Sequence, residues 1–377
     1  MRARKAKNNA NRFPCSKCGA MLKYAPGTQH LTCDYCHHEN YIEDRIEEIG
    51  EYSLRQALLE LSQAQPASVS RQTQCEACGA HFRFAESVHA GECPFCGTAI
   101  VTGDAERQLI QPKSLLPFKI REDQAKQQFR DWLKGLWFAP TKVKKYTRDE
   151  TKLAGVYLPY WTYDSHTETS YTGDRGNIYY ENQRVRFRHK GRLISKVKRV
   201  PKIQWHPVRG RVGRFFDDVL IGASRSLPRQ ILDRLQPWDL QNLVSYNEKY
   251  LSGFRSEYYQ IEVDEGFDRA KQVMDSVITQ DIIFDIGGDR QRIHHRQTDH
   301  NDTTYKHCLL PVWSAAFRYR GKSYRFVING RTGQIQGERP YSYWKIGFTA
   351  VLGALCLFGL VFFLDEFGML REIDTGY

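Results

Sequence analysis

The stretch Ile346–Leu364 reads IGFTAVLGALCLFGLVFFL and holds nineteen residues without a charge, a proline or a side-chain amide. At the helical rise of about 1.5 Å per residue it is roughly 28 Å long, close to the hydrocarbon thickness of a bilayer. A helix buried in a large soluble core is the alternative, but such a helix is seldom apolar on every side over this length. The stretch therefore predicts one C-terminal transmembrane helix.

The charges on either side of this stretch predict its orientation. Arg339 and Lys345 precede it, and the tail 365–377 carries one arginine against four acidic residues. Because positive residues accumulate on the cytoplasmic side, we expect a single-pass protein of the inner (plasma) membrane, with residues 1–345 in the cytoplasm and the C-terminus outside. The basic N-terminus, MRARKAKNNANR, has no apolar segment, so we expect no secretory signal.

The overall charge and the cysteine content narrow the class of protein. A net charge of +12 on 377 residues predicts attraction to polyanions, either the anionic lipid of the inner leaflet or nucleic acid. The length suggests two or three domains. A cytoplasmic location keeps thiols reduced, so the ten cysteines indicate metal binding more than disulfides.

Eight of the ten cysteines lie in two frames of identical spacing, each with two Cys-x2-Cys pairs separated by fourteen residues. Two such pairs on neighbouring hairpins complete a tetrahedron of thiolates around one Zn²⁺. Four sulfurs leave no open position for a reactive water, so both sites are expected to be structural. The sequence predicts two small β zinc ribbons and two zinc ions, with the ligands Cys15, Cys18, Cys33 and Cys36, then Cys75, Cys78, Cys93 and Cys96.

Glycine follows the second cysteine in three of the four pairs, where the turn often needs a positive φ. His37 stands at that place in the remaining pair, which makes the geometry of the first frame less regular. We do not expect His30, His37 or His38 to act as ligands, because four sulfurs already fill each site.

The sequence pattern of residues 104–345 predicts an α+β body made of two related halves. The motif Leu-Pro-x-Trp occurs at 158–161 and again at 310–313. A helical pattern precedes each motif, at 122–137 and 266–278, and a short extended segment precedes each helix, so each half is expected to form a β-α-β-β unit that arose by duplication. Apolar residues then alternate at 282, 284 and 286 before Gly287-Gly288, which predicts a β-hairpin there.

The predicted layout has six parts in chain order. These are zinc ribbon 1 at 1–45, a helix and linker at 46–72 with the helix at 51–64, zinc ribbon 2 at 73–103, the duplicated body at 104–345, the transmembrane helix at 346–364 and the tail at 365–377. Between the halves of the body, 225–254 is expected to be helical in short pieces.

The segment 184–214 holds twelve Lys or Arg and no Asp or Glu, which equals the net charge of the whole chain. Its arginines alternate with Val185 and Phe187, and this alternation predicts a β-ribbon with one basic face. Three interpretations stay open: a solvated protruding hairpin, a contact with anionic lipid, and a contact with nucleic acid. The candidate polyanion-binding residues are Arg184, Arg186, Arg188, Lys190, Arg192, Lys196, Lys198 and Arg199.

We find no catalytic residues in the sequence and expect a protein that is not an enzyme. Gly321-Lys322-Ser323 resembles the end of a phosphate-binding loop, but Ala316 stands where that loop needs glycine, and the surrounding residues read as a hairpin. The histidines at 294, 295, 300 and 307, with Asp299 and Asp302, are interpreted as a flexible polar loop, and a further metal site is the alternative.

Several further motifs resemble a family of bacterial membrane proteins that carry one or two zinc ribbons and a C-terminal span. The family is often catalogued as "primosomal protein N′ (replication factor Y)–superfamily II helicase". The motifs are Leu116-Pro117-Phe118, Tyr157–Trp161, Pro237-Trp238-Asp239-Leu240, Gly287-Gly288-Asp289, Leu310–Trp313, Asn329-Gly330-x-Thr332-Gly333 and Gly337-Glu338-Arg339-Pro340. A helicase needs an ATP-binding loop and its acidic partner motif, and this sequence shows neither. The resemblance implies a zinc-binding, membrane-anchored accessory protein, with an association to bacterial membrane-stress modules.

The sequence supports three hypotheses about function. The first is a non-enzymatic adaptor on the cytoplasmic face of the membrane, which presents its zinc ribbons to a protein partner. The second is a membrane-tethered protein that binds nucleic acid through the ribbons and the segment 184–214. The third is an enzyme acting through the histidine cluster, for which no nucleophile–base pair is visible.

Overall fold

The computed structural model describes residues 13–20, 22–43, 49–63, 73–74, 79–83, 90–92, 95, 99–101, 110–140, 153–189, 192–319, 322–338 and 341–366. In these ranges, one large sheet of eleven strands forms the centre, and two smaller sheets have three and two strands. The same described ranges contain five α-helices.

The N-terminal part contains the three-stranded sheet, in the order β1, β2, β3. Its strands are β1 Leu22–Tyr24, β2 His30–Cys33 and β3 Glu39–Tyr41. The next elements are β4 Tyr52–Ser53, α1 Leu54–Gln63, β5 Thr73–Gln74, β6 His81–Arg83, β7 Ala90–Glu92 and β8 Ala99–Val101. Strands β5 and β6 belong to the large sheet, whereas β7 and β8 pair with each other.

The body follows in two stretches. The first contains β9 Ser114–Leu115, α2 Glu122–Gly135, β10 Ala154–His189, β11 Arg192–Gly222 and α3 Arg229–Arg234. Short 3₁₀ helices at Leu240–Asn242 and Glu248–Leu251 alternate with β12 Val244–Ser245 and β13 Arg255–Glu257. The second contains α4 Val263–Ile286, β14 Arg290–Tyr319, β15 Lys322–Asn329, β16 Ile335–Gly337 and α5 Tyr343–Glu366.

Strands β10 and β14 are antiparallel neighbours at the centre of the large sheet. Leu158 lies opposite Leu310, so the two Leu-Pro-x-Trp motifs meet at their first residues and run in opposite directions from there. Strand β9 pairs in parallel with β14, and β13 pairs in parallel with β10. Each half of the body therefore contains a short strand, a helix, a long strand and a final strand. These are β9, α2, β10 and β11 in the first half and β13, α4, β14 and β15 in the second. The short strand of each half pairs with the long strand of the other half.

Both faces of this central pairing are buried. Successive residues of a strand point to opposite faces. On one face, Tyr157 packs edge-on against Phe118 at a ring distance of 5.2 Å, and Trp161 donates its indole N–H to the carbonyl of Ile261 at 2.8 Å. On the other face, Leu158 and the aromatic ring of Tyr160 belong to the apolar cluster that includes Leu232 of α3.

Helix α4 is longer than predicted, and the hairpin predicted before Gly287 is wrong. Ile278, Ile282 and Ile286 are buried at four-residue spacing, whereas Phe284 is 89% exposed. Alternating apolar residues fit one face of a strand, whereas on a helix 282 and 286 share one side and 284 lies on the other, as the burial shows. Gly287 then ends the helix with a positive φ of 65°.

Strands β10 and β11 continue past the rest of the sheet as a two-stranded hairpin. The pairing of β10 with β14 ends at Gly176, and β10 pairs with β11 alone from there to His189. We call residues 177–204 the arm. Its β10 strand extends roughly 43 Å at about 3.3 Å per residue. Every described side chain at 177–186 and 195–199 is exposed, so the arm projects beyond the core.

Helix α5 is set apart from the core by its composition and exposure. Within the described residues, it is the one helix long and apolar enough to cross a membrane, with a mean hydropathy of 2.4 over Tyr343–Phe363. None of its most apolar window is buried inside the protein. The predicted stretch Ile346–Leu364 lies within this helix.

The buried carboxyl group of Glu257 joins β13 to its surroundings. Ser224 donates to Glu257 Oε2 at 3.0 Å, and Ser226 and Gln260 donate to Oε1. The backbone N–H of His81, on β6, donates to the same carboxyl group. Burial raises the pKa of Glu257 to about 8, and the hydrogen bonds act in the opposite direction without cancelling it.

The raised pKa makes the stability of the protein depend on pH. In the unfolded chain this carboxyl ionises near its ordinary pKa of 4.5, whereas the folded protein holds the proton up to about pH 8. The contribution of the neutral, buried Glu257 carboxyl to the free energy of unfolding is therefore fully present below about pH 4.5 and is lost as the pH rises towards 8. We expect Glu257→Gln to remove this loss, so that the melting temperature of the variant relative to wild type increases from pH 5 to pH 8.

Thermal melts of the full chain in detergent, at a series of pH values, measure this difference. Glu122→Gln, on the exposed side of α2, is the matched control. The difference between its melting temperature and that of wild type should not change with pH over this range. A Glu257→Gln difference that stays constant across the range would contradict the raised pKa.

Candidate metal centre and basic arm

The four cysteines of the first frame converge on one point. Their sulfur atoms all lie within 4.8 Å of one another. The Sγ atoms of Cys15 and Cys36 are 3.6 Å apart, and those of Cys18 and Cys33 are 3.5 Å apart. A tetrahedral zinc ion with Zn–S bonds of about 2.3 Å places its sulfurs roughly 3.8 Å apart. A disulfide needs about 2.05 Å, so the set fits one metal ion and not two disulfides.

Two tight turns position these ligands. The N–H of Gly19 donates to the carbonyl of Cys15 at 2.9 Å, with φ of 75° at the glycine. In the second turn, the N–H of His37 donates to the carbonyl of Cys33, also at 2.9 Å, with φ of 55°. His37 therefore adopts the left-handed conformation that glycine adopts in the first turn, and the missing glycine does not disrupt the frame.

The groups around the sulfurs favour the ionised form of Cys15 and Cys33 and the protonated form of Cys18. Although burial opposes ionisation, the backbone N–H groups of Cys18 and Lys17 lower the pKa of Cys15 to about 6. The backbone N–H of Cys36 lowers the pKa of Cys33. The N–H of Ala20 acts to lower the pKa of Cys18, but hydrogen bonds from its thiol to the sulfurs of Cys36 and Cys33 raise that pKa to about 12. A dication between the sulfurs would take the place of this shared proton.

The part of the chain that carries this cluster, residues 13–43, is called the cysteine module. One side of it is fixed to the body through Tyr24, whose ring lies 5.0 Å from that of Tyr250. The hydroxyl of Tyr24 lies between the carbonyls of Thr28 at 2.9 Å and Phe118 at 3.2 Å, and the backbone N–H of Tyr24 donates to the carbonyl of Ser252 at 2.9 Å. These contacts therefore hold the cysteine module in one orientation relative to the body.

The other side of the cysteine module faces solvent. Tyr35, between Cys33 and Cys36, is 87% exposed, and Tyr41 on β3 is 64% exposed. Two exposed tyrosines beside a rigid turn are the residue type that protein interfaces favour.

The ligands of the second frame, Cys75, Cys78, Cys93 and Cys96, lie outside the described residues. The described neighbours of this frame pack on the body, because Ala80 and Phe95 are fully buried in the same apolar cluster as Leu158. Strand β6 also pairs with β13, with Glu257 opposite Phe82.

The register of the arm corrects the prediction of a single basic face. Lys196 lies opposite Val185, and Lys198 opposite Gln183. Residues opposite each other in an antiparallel pair share a face, and neighbours along a strand do not. The lysines therefore lie on the face opposite Arg184 and Arg186. Both faces of the arm are basic.

Most of the predicted polyanion-binding residues are on this arm. Arg184, Arg186, Lys196 and Lys198 are exposed and form no ion pair with another described residue. Arg199 lies 5.3 Å from the ring centre of Tyr180. Arg188 and Arg192 lie at the ends of the two strands, without described side chains, and Lys190 lies outside the described residues. Tyr179 and Tyr180 are 46% and 60% exposed beside these cations.

The four histidines lie on a β-strand, and the prediction of a flexible loop is wrong. All belong to β14, where His294 and His307 are thirteen residues apart, roughly 43 Å along the strand. His294 Nε2 lies 2.8 Å from Asp174 Oδ2. His307 donates from Nδ1 to the carbonyl of Ile110 at 2.8 Å, and burial lowers its pKa to about 4. Histidines spread in this way cannot share one metal ion.

The residues after Gly321 form a hairpin, as the sequence predicts. Lys322 pairs with Tyr319, and Ser323 with Arg318, in antiparallel register. The unpaired Cys308 is fully buried, and burial raises the pKa of its thiol to about 12, which makes it an apolar filler and not a nucleophile.

Four of the short motifs meet in one structural cluster. The guanidinium of Arg331 pairs with Asp239, with Nε 2.9 Å from Oδ1, and also donates to the carbonyl of Pro117 at 3.2 Å. A Cβ atom on Gly330 would lie 2.8 Å from the carbonyl oxygen of Pro311, so only glycine fits there. These motifs hold the ends of β9 and β15 together and carry no reactive group.

One carboxylate cluster was missed at the sequence level. Oxygen atoms of Asp164, Asp217 and Asp218 lie within 4.8 Å of one another, where the pairing of β10 and β11 is irregular. The ammonium of Lys306 lies 2.8 Å from Asp218 Oδ1, and Thr304 donates to Asp164 at 2.8 Å. Because the Lys306 ammonium offsets the negative charge, we interpret the cluster as an ion pair that stabilises the register shift between β10 and β11. Its members come from three different strands, which hides the cluster from local spacing rules.

Comparison with known proteins finds a relative of unknown function. The chain is 26% identical over 264 residues to the uncharacterized protein YdjG of Bacillus subtilis (strain 168), covering 69% of this chain and 73% of the relative. No family model matches the chain. No solved structure matches it. The resemblance to the proteins catalogued as primosomal protein N′ stays a hypothesis.

The geometry of the cysteine cluster generates a test by metal counting. We expect Cys33→Ser to lower the zinc content of the purified full chain by one ion, because three thiolates bind zinc far less tightly than four. Elemental analysis of the protein in detergent measures the ratio. Cys308→Ala removes a cysteine outside the frames and should leave the zinc content unchanged. An unchanged zinc content in Cys33→Ser would exclude the cluster as a metal site.

Proposed function

We propose that this protein is a zinc-binding, membrane-anchored adaptor that is not an enzyme, and that it presents its cysteine module as a zinc ribbon to a protein partner in the cytoplasm. The observation that carries the proposal is the module itself. Its four sulfurs converge, Tyr24 fixes it to the body, and Tyr35 and Tyr41 face solvent.

The apolar helix α5 supports the anchoring. It is 24 residues long, and none of its most apolar window is buried inside the protein. Its continuous apolar surface is therefore not covered by the described part of the chain. Insertion into the inner membrane, with the N-terminal body in the cytoplasm, satisfies both the apolar surface and the charge difference across the helix.

The chemistry of the described side chains supports an adaptor over an enzyme. Four sulfurs complete the coordination of one zinc ion, so the metal has no open position for substrate or water. The histidines of β14 point to separate surroundings, and the motif residues are used in packing. A second zinc ion at the other cysteine frame is part of the proposal, by analogy of the spacing.

Two exposed tyrosines allow the proposal to be tested without disturbing the metal. We expect the double variant Tyr35→Ser and Tyr41→Ser to lose its main partner in pull-downs of the full chain from detergent extracts, because these rings form the outward face of the module. Zinc content should stay at the wild-type value.

The matched control is the double variant Tyr179→Ser and Tyr180→Ser, which removes two exposed tyrosines from the arm. It should keep the partner. If the set of co-purified proteins is the same for wild type and for both double variants, the module is not the presenting surface.

The second candidate function is binding of nucleic acid at the membrane, and the register of the arm favours it over binding of lipid by the arm. A flat lipid surface meets one face of a β-ribbon, whereas the arm is basic on both faces. A duplex groove of about 12 Å admits a two-stranded ribbon and places phosphates on both sides of it. Tyr179 and Tyr180 offer additional stacking surface.

Binding of nucleic acid by the arm predicts a salt-dependent affinity, and two double variants separate the contributions of its two faces. Arg184→Gln with Arg186→Gln removes cations from one face, and Lys196→Gln with Lys198→Gln removes them from the other. We expect each double variant to weaken binding to duplex DNA and to reduce the slope of log K against log salt by about 0.9 for each phosphate that is no longer neutralised. Fluorescence anisotropy of the full chain in detergent measures both quantities.

The control for this test is Lys126→Gln with Lys134→Gln on α2, which changes the net charge equally. A weakening confined to one face of the arm would contradict insertion into a groove. No binding at about 50 mM salt would exclude the candidate.

We also propose that the body arose by duplication. The support is the symmetric pairing, in which Leu158 faces Leu310 and the short strand before each helix pairs with the long strand of the other half.

A further inference from the structure

The loop 136–140 after α2 lies against the first turn of α5, although the two are far apart in the chain. The N–H of Ser342 donates to the carbonyl of Phe138 at 2.8 Å. The ammonium of Lys345 donates to the carbonyls of Trp137 at 3.2 Å and Ala139 at 2.9 Å. A lysine at the carbonyl end of a helix is favourable, so these bonds attach the C-terminal end of α2 to the start of α5.

The side chains at this junction are aromatic and exposed. Trp137 is 71% exposed and Phe138 is 39% exposed. On the other side of the junction, Tyr341, Tyr343 and Trp344 are 50%, 85% and 86% exposed. Such a group of exposed aromatic rings is unusual on a surface that meets only water, whereas tryptophan and tyrosine are enriched where a helix enters a membrane.

We propose that the loop 136–140 is a second lipid-contact site, in which Trp137 and Phe138 enter the headgroup region of the leaflet that α5 enters. The inference rests on the proposed membrane anchor. The Lys345 ammonium bonds the Trp137 carbonyl directly, which places the loop at the depth of Trp344. The headgroup region on each side of the bilayer is roughly 5–8 Å thick, so a loop at this depth lies within it.

Continuity with α5 identifies lipid as the occupant. The exposed rings of the loop join the apolar surface of α5 at its first turn, and that surface is lipid-facing if the helix spans the membrane. A protein partner seated on the same rings would have to displace headgroups from the start of the helix.

A second contact would fix the orientation of the body. Helix α2 packs on the sheet through Phe129, whose ring stacks on that of Phe326 at 3.8 Å. The loop, α2 and β15 therefore form one rigid connection. A body held by α5 alone could turn about the axis of that helix, whereas two attached points set the direction in which the sheet and the arm leave the membrane.

Quenching of tryptophan fluorescence by brominated lipid tests the proposal on the full chain. The protein is reconstituted in nanodiscs of phosphatidylethanolamine and phosphatidylglycerol, with and without brominated acyl chains. Trp137→Phe, Trp344→Phe and Trp205→Phe each remove one indole and keep an aromatic side chain in place. Trp205 is the control, because it lies at the base of the arm with the guanidinium of Arg292 stacked 3.9 Å from its ring centre.

We expect bromine to quench wild type, and the quenched fraction to fall in both Trp137→Phe and Trp344→Phe but not in Trp205→Phe. Reduced quenching in Trp344→Phe alone would overturn the loop contact and leave the membrane anchor standing. No quenching in wild type would overturn the anchor and the loop contact together. An equal fall in Trp205→Phe would overturn the inference, because lipid contact would then not be particular to the loop.

Discussion

The antiparallel pairing of β10 with β14 is the constraint on which the other layers depend. With Leu158 opposite Leu310, the apolar residues of both strands fall into register on both faces at once. One face then receives α2, α4 and the cysteine module, and the other receives α3 and the neighbours of the second cysteine frame. A slip of one residue would exchange the faces and leave every one of these layers without its contacts.

The long arm extends from the same central strand. The pairing of β10 with β11 runs from Tyr160 to His189, well past the last helix that covers the sheet. Exposed strand edges invite pairing with other chains, and natural proteins prevent this with charged side chains along the edge. The described arginines and lysines on both faces of the arm are side chains of this kind.

The cysteine module shows how a small unit gains rigidity from two sources. Strands of three or four residues cannot bury a core of their own. Four thiolates around one ion would supply the internal stability, and the contacts of Tyr24 with Tyr250 and Phe118 supply the orientation. The fixed orientation decides which surface remains available, because the side of Tyr24 is covered and the side of Tyr35 is open.

Local features of the sequence determined a substantial part of this protein. The spacing of Cys15, Cys18, Cys33 and Cys36 specified the candidate metal ligands, because a chelating frame is a property of neighbouring residues and the turns between them. The apolar stretch 346–364 specified a helix in the same way, as did the apolar stripe of α2. Only the tertiary structure decided which side of the arm each cation occupies, since the face of a residue depends on its partner in the opposite strand. It also decided that α4 continues to Ile286 and that His307 is buried on a strand. Finally, it placed Trp137 beside Lys345. Each of these depends on contacts between residues distant in the chain, whose free energy outweighs the local preferences that a sequence pattern records.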